Sequence, residues 1–170
     1  PQQAPAPPVT GDSGGKRQTR KIFEKPQQSP ATVDAFAMAV TGYSMLKKGQ
    51  LTEALDFSEK ALALDPNCAS AWFTKGSTFV RLGHTDPALT CLARALQLEP
   101  GNASAWSAKG ECLAKLNRHE EAVACFDKAI QLDPKRAPPY YKRAGSLVHL
   151  PGSANALSDC DKSLEMDPND

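Results

Sequence analysis

Residues 71–80 read Ala71-Trp72-Phe73-Thr74-Lys75-Gly76-Ser77-Thr78-Phe79-Val80, and residues 105–110 return to the same frame as Ala105-Trp106-Ser107-Ala108-Lys109-Gly110. Trp72, Gly76 and Phe79 stand one turn apart, so on a helix they share a face. The step between the two stretches is 34 residues, and it recurs along the chain. Pro66, Pro100, Pro134 and Pro168 keep it, as do Ala54, Ala88, Ala122 and Ala156. So do Gly42, Gly76 and Gly110, with Ala144 completing the series, and Trp72, Trp106 and Tyr140. Ala61, Ala95 and Ala129 are followed at the same step by Ser163. Separate series that hold one period over residues 35–170 define a repeat architecture.

Each unit reads as two helices. The first half carries the aromatic and the glycine. The second, such as Ala122-Val123-Ala124-Cys125-Phe126-Asp127-Lys128-Ala129-Ile130, again spaces its apolar residues helically. Breakers separate the halves at Lys48-Gly49-Gln50, Leu82-Gly83-His84, Leu116-Asn117-Arg118 and Leu150-Pro151-Gly152. Asp86-Pro87 is expected to give an N-cap followed by proline at the first helical position. Asn67 and Asn102 are expected to cap the helices after them. Asp-Pro or Glu-Pro closes each unit, since proline forbids continuation of the helix. Glycine or alanine at 42, 76, 110 and 144 lets the paired helix approach closely, and the alanines at 54, 88, 122 and 156 answer from the other side. A single pair leaves one face bare, so the units must stack. The expected fold class is all-α, a solenoid of four antiparallel helix pairs with units at 35–68, 69–102, 103–136 and 137–170.

Trp72/Gly76/Phe79/Ala88/Leu92/Ala95/Pro100 and Trp106/Gly110/Leu113/Ala122/Phe126/Ala129/Pro134 resemble the tetratricopeptide repeat family. The outer units depart from the pattern. Unit one has Met38 in the aromatic slot and Ser58 in the Phe slot; unit four has Ala144, Cys160 and Ser163 and an irregular turn at Pro151-Gly152. Lys75, Lys109 and Arg143 replace the leucine that precedes the glycine slot, and their aliphatic stems can still pack. Members of the family usually end in an additional covering helix. Leu157, Cys160, Leu164 and Met166 are therefore expected on an uncapped end, where self-association is one outcome.

The resemblance implies a right-handed superhelix whose concave surface is lined by the first helix of each unit. Helical spacing then nominates Phe36, Ala39, Val40, Tyr43 and Lys47 in unit one, and Ser70, Phe73, Thr74, Ser77 and Arg81 in unit two. Unit three offers Ser104, Ser107, Ala108, Glu111 and Lys115, and unit four Pro138, Tyr141, Lys142, Gly145 and His149. Lys47, Arg81, Lys115 and His149 are 34 apart and read as a cationic file that would take an acidic or carboxylate-bearing peptide. The plainer reading of that slot is solubility and helix capping. Tyr43, Phe73 and Tyr141 are the expected anchors, because aromatics dominate interface hot spots, although inter-helix packing would also use them. Chaperone-binding members clamp a C-terminal carboxylate with Lys, Arg and Asn. Here the matching places hold Ala39, Tyr43, Thr74, Ser104 and Ala108, which argues against that clamp.

Residues 1–34 are rich in proline and glycine and too poor in apolar side chains to offset the entropy of folding, so they read as a disordered linker. Lys16-Arg17-Gln18-Thr19-Arg20-Lys21 inside it reads as a solvated charge cluster, with nuclear import or an acidic partner as the alternative. Ile22-Phe23 would dock on the folded part or open its first helix early. The start at Pro1, without Met, is expected of a fragment of a longer polypeptide.

The whole chain has 20 Lys+Arg against 19 Asp+Glu, and residues 35–170 carry fifteen against sixteen. Such a balance argues against nucleic-acid binding, RNA included, which draws its affinity from phosphate neutralisation. No apolar run is long enough to span a bilayer. Five cysteines without a Cys-x-x-Cys pair suggest neither a disulfide framework nor zinc, and favour a reducing compartment, expected to be the cytoplasm. Cys91, Cys112 and Cys125 read as small core residues. His84, His119 and His149 occupy unrelated places in their units, and His119-Glu120-Glu121 reads as a helix start with acids near the positive end of the dipole. No catalytic motif, metal or cofactor site is expected. The expected function is a non-catalytic scaffold or adaptor that binds a peptide or helix of a protein partner; the alternative is a regulatory or targeting module of a larger multidomain enzyme.

Overall fold

The computed structural model describes residues 30–151 and 155–166, and over these the chain is helical with no strand. Eight helices follow in order: α1 (Pro30–Lys47), α2 (Leu51–Leu64), α3 (Ala69–Leu82), α4 (Thr85–Leu98), α5 (Ala103–Lys115), α6 (His119–Leu132), α7 (Ala137–Leu147) and α8 (Asn155–Met166). Each packs against the next in sequence. The odd-numbered helices also touch one another, α1 with α3, α3 with α5 and α5 with α7, whereas the even-numbered ones do not. A stack joined along one row and open along the other must curve toward the joined row. The concave surface therefore belongs to α1, α3, α5 and α7.

The expected small slots are where the helices come closest. Ala54, Ala88 and Ala122 have no exposed surface, and Ala156 almost none. A Cβ placed on Gly76 would lie 2.8 Å from Leu92 Cγ, and one on Gly110 would lie 2.8 Å from Phe126 Cε1. The aromatic slot has a second task that periodicity did not reveal. Trp72 Nε1 donates to the Pro66 carbonyl at 2.8 Å, Trp106 Nε1 to Pro100 at 2.9 Å, and the Tyr140 hydroxyl to Pro134 at 3.1 Å. The ring fills the gap between units while its polar tip ties down the turn that enters its own helix. Met38, in the same slot of unit one, has no side-chain N–H or O–H with which to tie a turn.

Three of the turns within pairs place a residue in the left-handed region at the same step: Gly49 (φ 82°), Gly83 (φ 79°) and Asn117 (φ 58°). The following amides reach back to seal the helix ends, Gln50 N–H to Met45 O, His84 N–H to Phe79 O and Arg118 N–H to Leu113 O. The fourth equivalent is Pro151, whose ring fixes φ near −65° and forbids that conformation. The α7 helix accordingly stops at Leu147 and continues as irregular turn.

Four expectations about helix starts are tested by the structure. α1 begins at Pro30, so residues 30–34, assigned to the linker, are helical; proline suits a first turn, where its missing N–H has no partner to lose. α4 begins at Thr85 with His84 as N-cap, which puts Asp86 and Pro87 inside the first turn. Asn102 does cap α5, accepting from Ala105 N–H at 3.0 Å. Asn67 does not cap α3: the cap position is Cys68, and the Asn67 side chain instead accepts from Arg94 at 3.0 Å. The basic cluster at Lys16–Lys21, Ile22-Phe23, Gly152 and Pro168 lie outside the described residues.

The core is continuous through the middle of the stack, where Val80, Leu92, Leu96 and Cys112 join α3, α4 and α5. At the C-terminal end Leu157, Cys160, Leu164 and Met166 are exposed, as expected of that face. Among the described residues no helix is long and apolar enough to cross a membrane.

Candidate functional site

The concave row encloses an open groove of about 340 Å³. Of the nominated partner-binding residues, Tyr43, Lys47, Phe73, Ser77, Arg81, Glu111, Tyr141 and Lys142 line it together. At one end the Tyr43 and Phe73 rings meet at 5.8 Å between centroids with a 40° tilt. Lys47 Nζ sits 5.4 Å from the Tyr43 centroid. Tyr141, 41% exposed, stands at the other end beside Pro138. Between the aromatic ends, Ser77 Oγ is buried and has no hydrogen-bond partner among the described residues.

The cationic file proves to be mostly engaged. Arg81 Nη1 donates to the Leu46 carbonyl at 2.6 Å, and Lys115 Nζ to the Val80 carbonyl at 3.4 Å. Each cation thus adds a second donor to a C-terminal carbonyl on the first helix of the preceding unit, beside the turn amide of Gly49 or Gly83, where the helix dipole also favours positive charge. The capping reading of this slot therefore accounts for two of its four members. His149 does neither: its ring stacks on His119 at 4.3 Å, with 17° between the planes. Lys115 and His149 line a separate notch next to the groove, together with Gly145 and with Lys142, which borders both.

Charge across the groove is organised by Glu111. Its carboxylate is held by Lys142 at 2.7 Å and Lys115 at 3.4 Å. Burial pushes this carboxyl up, but the hydrogen bond and charge of Lys142, followed by those of Lys115, outweigh burial and hold it below its ordinary value. The lining as a whole has four cations, Lys47, Arg81, Arg136 and Lys142, against that single carboxylate. Arg136 was not nominated. It precedes α7 at the N-cap place, where Cys68 and Asn102 stand in the earlier units, and its guanidinium donates to Ser104 Oγ. An arginine in a place that favours short polar residues was the signal that could have found it.

Several nominated groove residues are not available. Ala39 has no exposed surface and Thr74 only 1%. The Thr74 hydroxyl turns back to the Ser70 carbonyl at 2.9 Å, so this side chain seals the α1–α3 contact. Phe36 and Ser70 line a different recess near Cys68, outside the groove. Val40 is half exposed at the outer edge of α1.

The lysines and arginine before the glycine slot do more than pack. Lys75 pairs with Glu59 at 3.0 Å, and Arg143 pairs with Asp127, in each case sixteen residues back. Lys109 finds Ala93 at that offset and lies instead over the Trp106 ring at 5.4 Å. Arg143 also grips Asp159 with two hydrogen bonds, at 2.7 and 2.6 Å. Among the described residues no three His, Cys, Asp or Glu side chains are grouped so as to hold a metal ion. Burial raises the thiols of Cys68, Cys91 and Cys125, and burial together with the Glu111 charge pushes Cys112 up to about 11, so none of these four is thiolate at neutral pH.

Residues 73–137 match the family model described as Tetratricopeptide repeat. Residues 51–79 match that described as Protein prenyltransferase alpha subunit repeat. No curated protein sequence matches the chain. Similar solved structures include MamA from Desulfovibrio magneticus RS-1, 21% identical over 79% of this chain and 76% of that one, with a TM-score of 0.68. The TPR domain of Arabidopsis OM64 is 22% identical over 71% of this chain and 99% of that one, with a TM-score of 0.66. The first TPR of Spaghetti (RPAP3), solved with an HSP90 peptide SRMEEVD, is 22% identical over 68% and 91%, with a TM-score of 0.63. At these identities the likeness is one of fold.

Proposed function

We propose that this chain, whose helix pairs are tetratricopeptide repeats, is a non-catalytic interaction module that holds an extended or helical segment of a protein partner in its concave groove. The observation that carries this reading is the groove itself, with Tyr43 and Phe73 at one end, Tyr141 at the other, and four cations against one carboxylate between them. Aromatic anchors supply most of the affinity at such surfaces, and the charge balance selects an acidic segment. A structural neighbour is known with a peptide containing Glu-Glu-Val-Asp, and an acid-rich peptide is the ligand class carried over to this chain. The carboxylate clamp is not carried over, because Ala39 and Thr74 are buried where it needs polar donors. The units at 35–68, 69–102, 103–136 and 137–170 are the modules of this scaffold, which works as an adaptor.

A peptide-display selection on the purified chain tests the reading. Enriched ligands should be acidic and bind in the micromolar range, about 8 kcal/mol. Phe73→Ala and Tyr141→Ala should each weaken them about tenfold or more, while Lys128→Gln on the exposed face of α6 leaves them unchanged. Ligands indifferent to both aromatic substitutions would sink the groove reading.

A further inference from the structure

The notch beside the groove holds chemistry that the groove reading leaves unused. It measures about 310 Å³ and lies where the end of α5, the start of α6 and the end of α7 meet. His119 and His149 stack at its edge, Phe126 and Ala114 belong to its apolar lining, and Lys115 and Lys142 bring ammonium groups from two different helices. By the repeat step, His149 should do what Arg81 and Lys115 do and reach the carbonyl of residue 114. That carbonyl accepts the Asn117 N–H at 3.0 Å, as Leu46 and Val80 accept Gly49 and Gly83, but it gains no second donor from His149, whose shorter side chain stacks on His119. His119 Nδ1 is buried without a hydrogen-bond partner among the described residues.

We propose that this notch is an oxyanion subsite, taking a carboxylate or phosphate group carried by a ligand, and that it binds the anion more tightly as the two histidines take up protons. A neutral imidazole offers one N–H; the protonated ring offers two, and the buried Nδ1 of His119 then requires an acceptor. Two stacked imidazolium rings repel each other unless an anion lies between them and the lysines. Glu111 on α5 positions Lys115 and Lys142 from one side by bridging them, and Lys142 spends only one of its donors there. The other charges near the start of α6 do not fill the notch: Glu121 is held by Arg118 at 2.6 Å, and Glu120 is exposed. The ammonium groups also favour an anion over a metal cation on the two rings.

The inference rests on the groove reading only for the source of the anion, and its test needs no groove ligand, so the two can fail separately. NMR of the histidine ring protons, at constant ionic strength, follows titration with acetate and with inorganic phosphate. The His119 and His149 signals should shift saturably, while those of His84, at the start of α4 and outside the notch, do not. Acetate keeps one charge at about pH 8 and about pH 6, and its apparent Kd should tighten about tenfold between them. Tighter binding of phosphate than of acetate at one pH assigns the natural anion to a phosphorylated group, and the reverse assigns it to a carboxylate. His149→Gln should abolish the response of His119, whereas Lys128→Gln should not. Shifts that never saturate, a response shared equally by His84, or zinc perturbing both rings where the anions do not, would overturn the proposal; the wild-type titration decides this without any variant.

Discussion

Gly110 and Gly145 are both helical glycines, and their surroundings give substitution opposite signs. A methyl at 110 meets the Phe126 ring, which is buried and moves only as a rigid plate. Overpacking of that kind costs about 1–3 kcal/mol and exceeds the helix propensity gained, about 1 kcal/mol. At Gly145 a methyl would find nothing within 4 Å, so there the propensity gain stands alone. Urea unfolding should show Gly110→Ala less stable than the parent and Gly145→Ala more stable, by up to about 1 kcal/mol. The natural Ala144 fits the same logic, because the residue sixteen further on is Cys160 where Gly76 and Gly110 face Leu92 and Phe126.

Between elements, the α7–α8 pair relies on polar contact where α3–α4 and α5–α6 rely on the bulk of Leu92 and Phe126. Its Phe slot holds Cys160, and Pro151 stands where the three earlier turns place a residue with positive φ. Arg143 compensates by gripping Asp159, which is 2% exposed, while also pairing with Asp127 on α6. Removing one partner of a buried pair strands the other charge. Arg143→Met should therefore cost about 3 kcal/mol or more in urea unfolding, and Arg143→Met with Asp159→Leu should recover most of that loss. Equal loss in the single and double variants would show that the pair does not act as a unit.

Across the whole molecule, stability should be graded rather than uniform, since each unit of a solenoid touches only its neighbours. The continuous apolar core joins α3, α4 and α5, and α6 extends it through Phe126 and Cys125. Large apolar side chains are exposed at both ends, Phe36 and Val40 on α1 and Leu157 and Leu164 on α8. Native-state hydrogen exchange on the 170-residue chain should find the slowest amides in α3–α6 and markedly faster exchange in α7 and α8. Uniform protection would mean that the helices open only together.

The sequence by itself determined the period, the pairing of helices and the places where backbones approach. In a stacked array every apolar contact recurs at a fixed offset, so sixteen or thirty-four residues in the chain is also one step in space. Twelve of the twenty nominated groove residues come to one groove for that reason. Only the tertiary structure decided which of their charges are free. Arg81 is spent on Leu46, Glu111 on Lys142 and Lys115, and His149 on His119, across separations of 35, 31, 4 and 30 residues. Long polar side chains choose partners by reach and by which carbonyls and charges the neighbouring unit brings within it, and neither is written in a hydrophobic repeat.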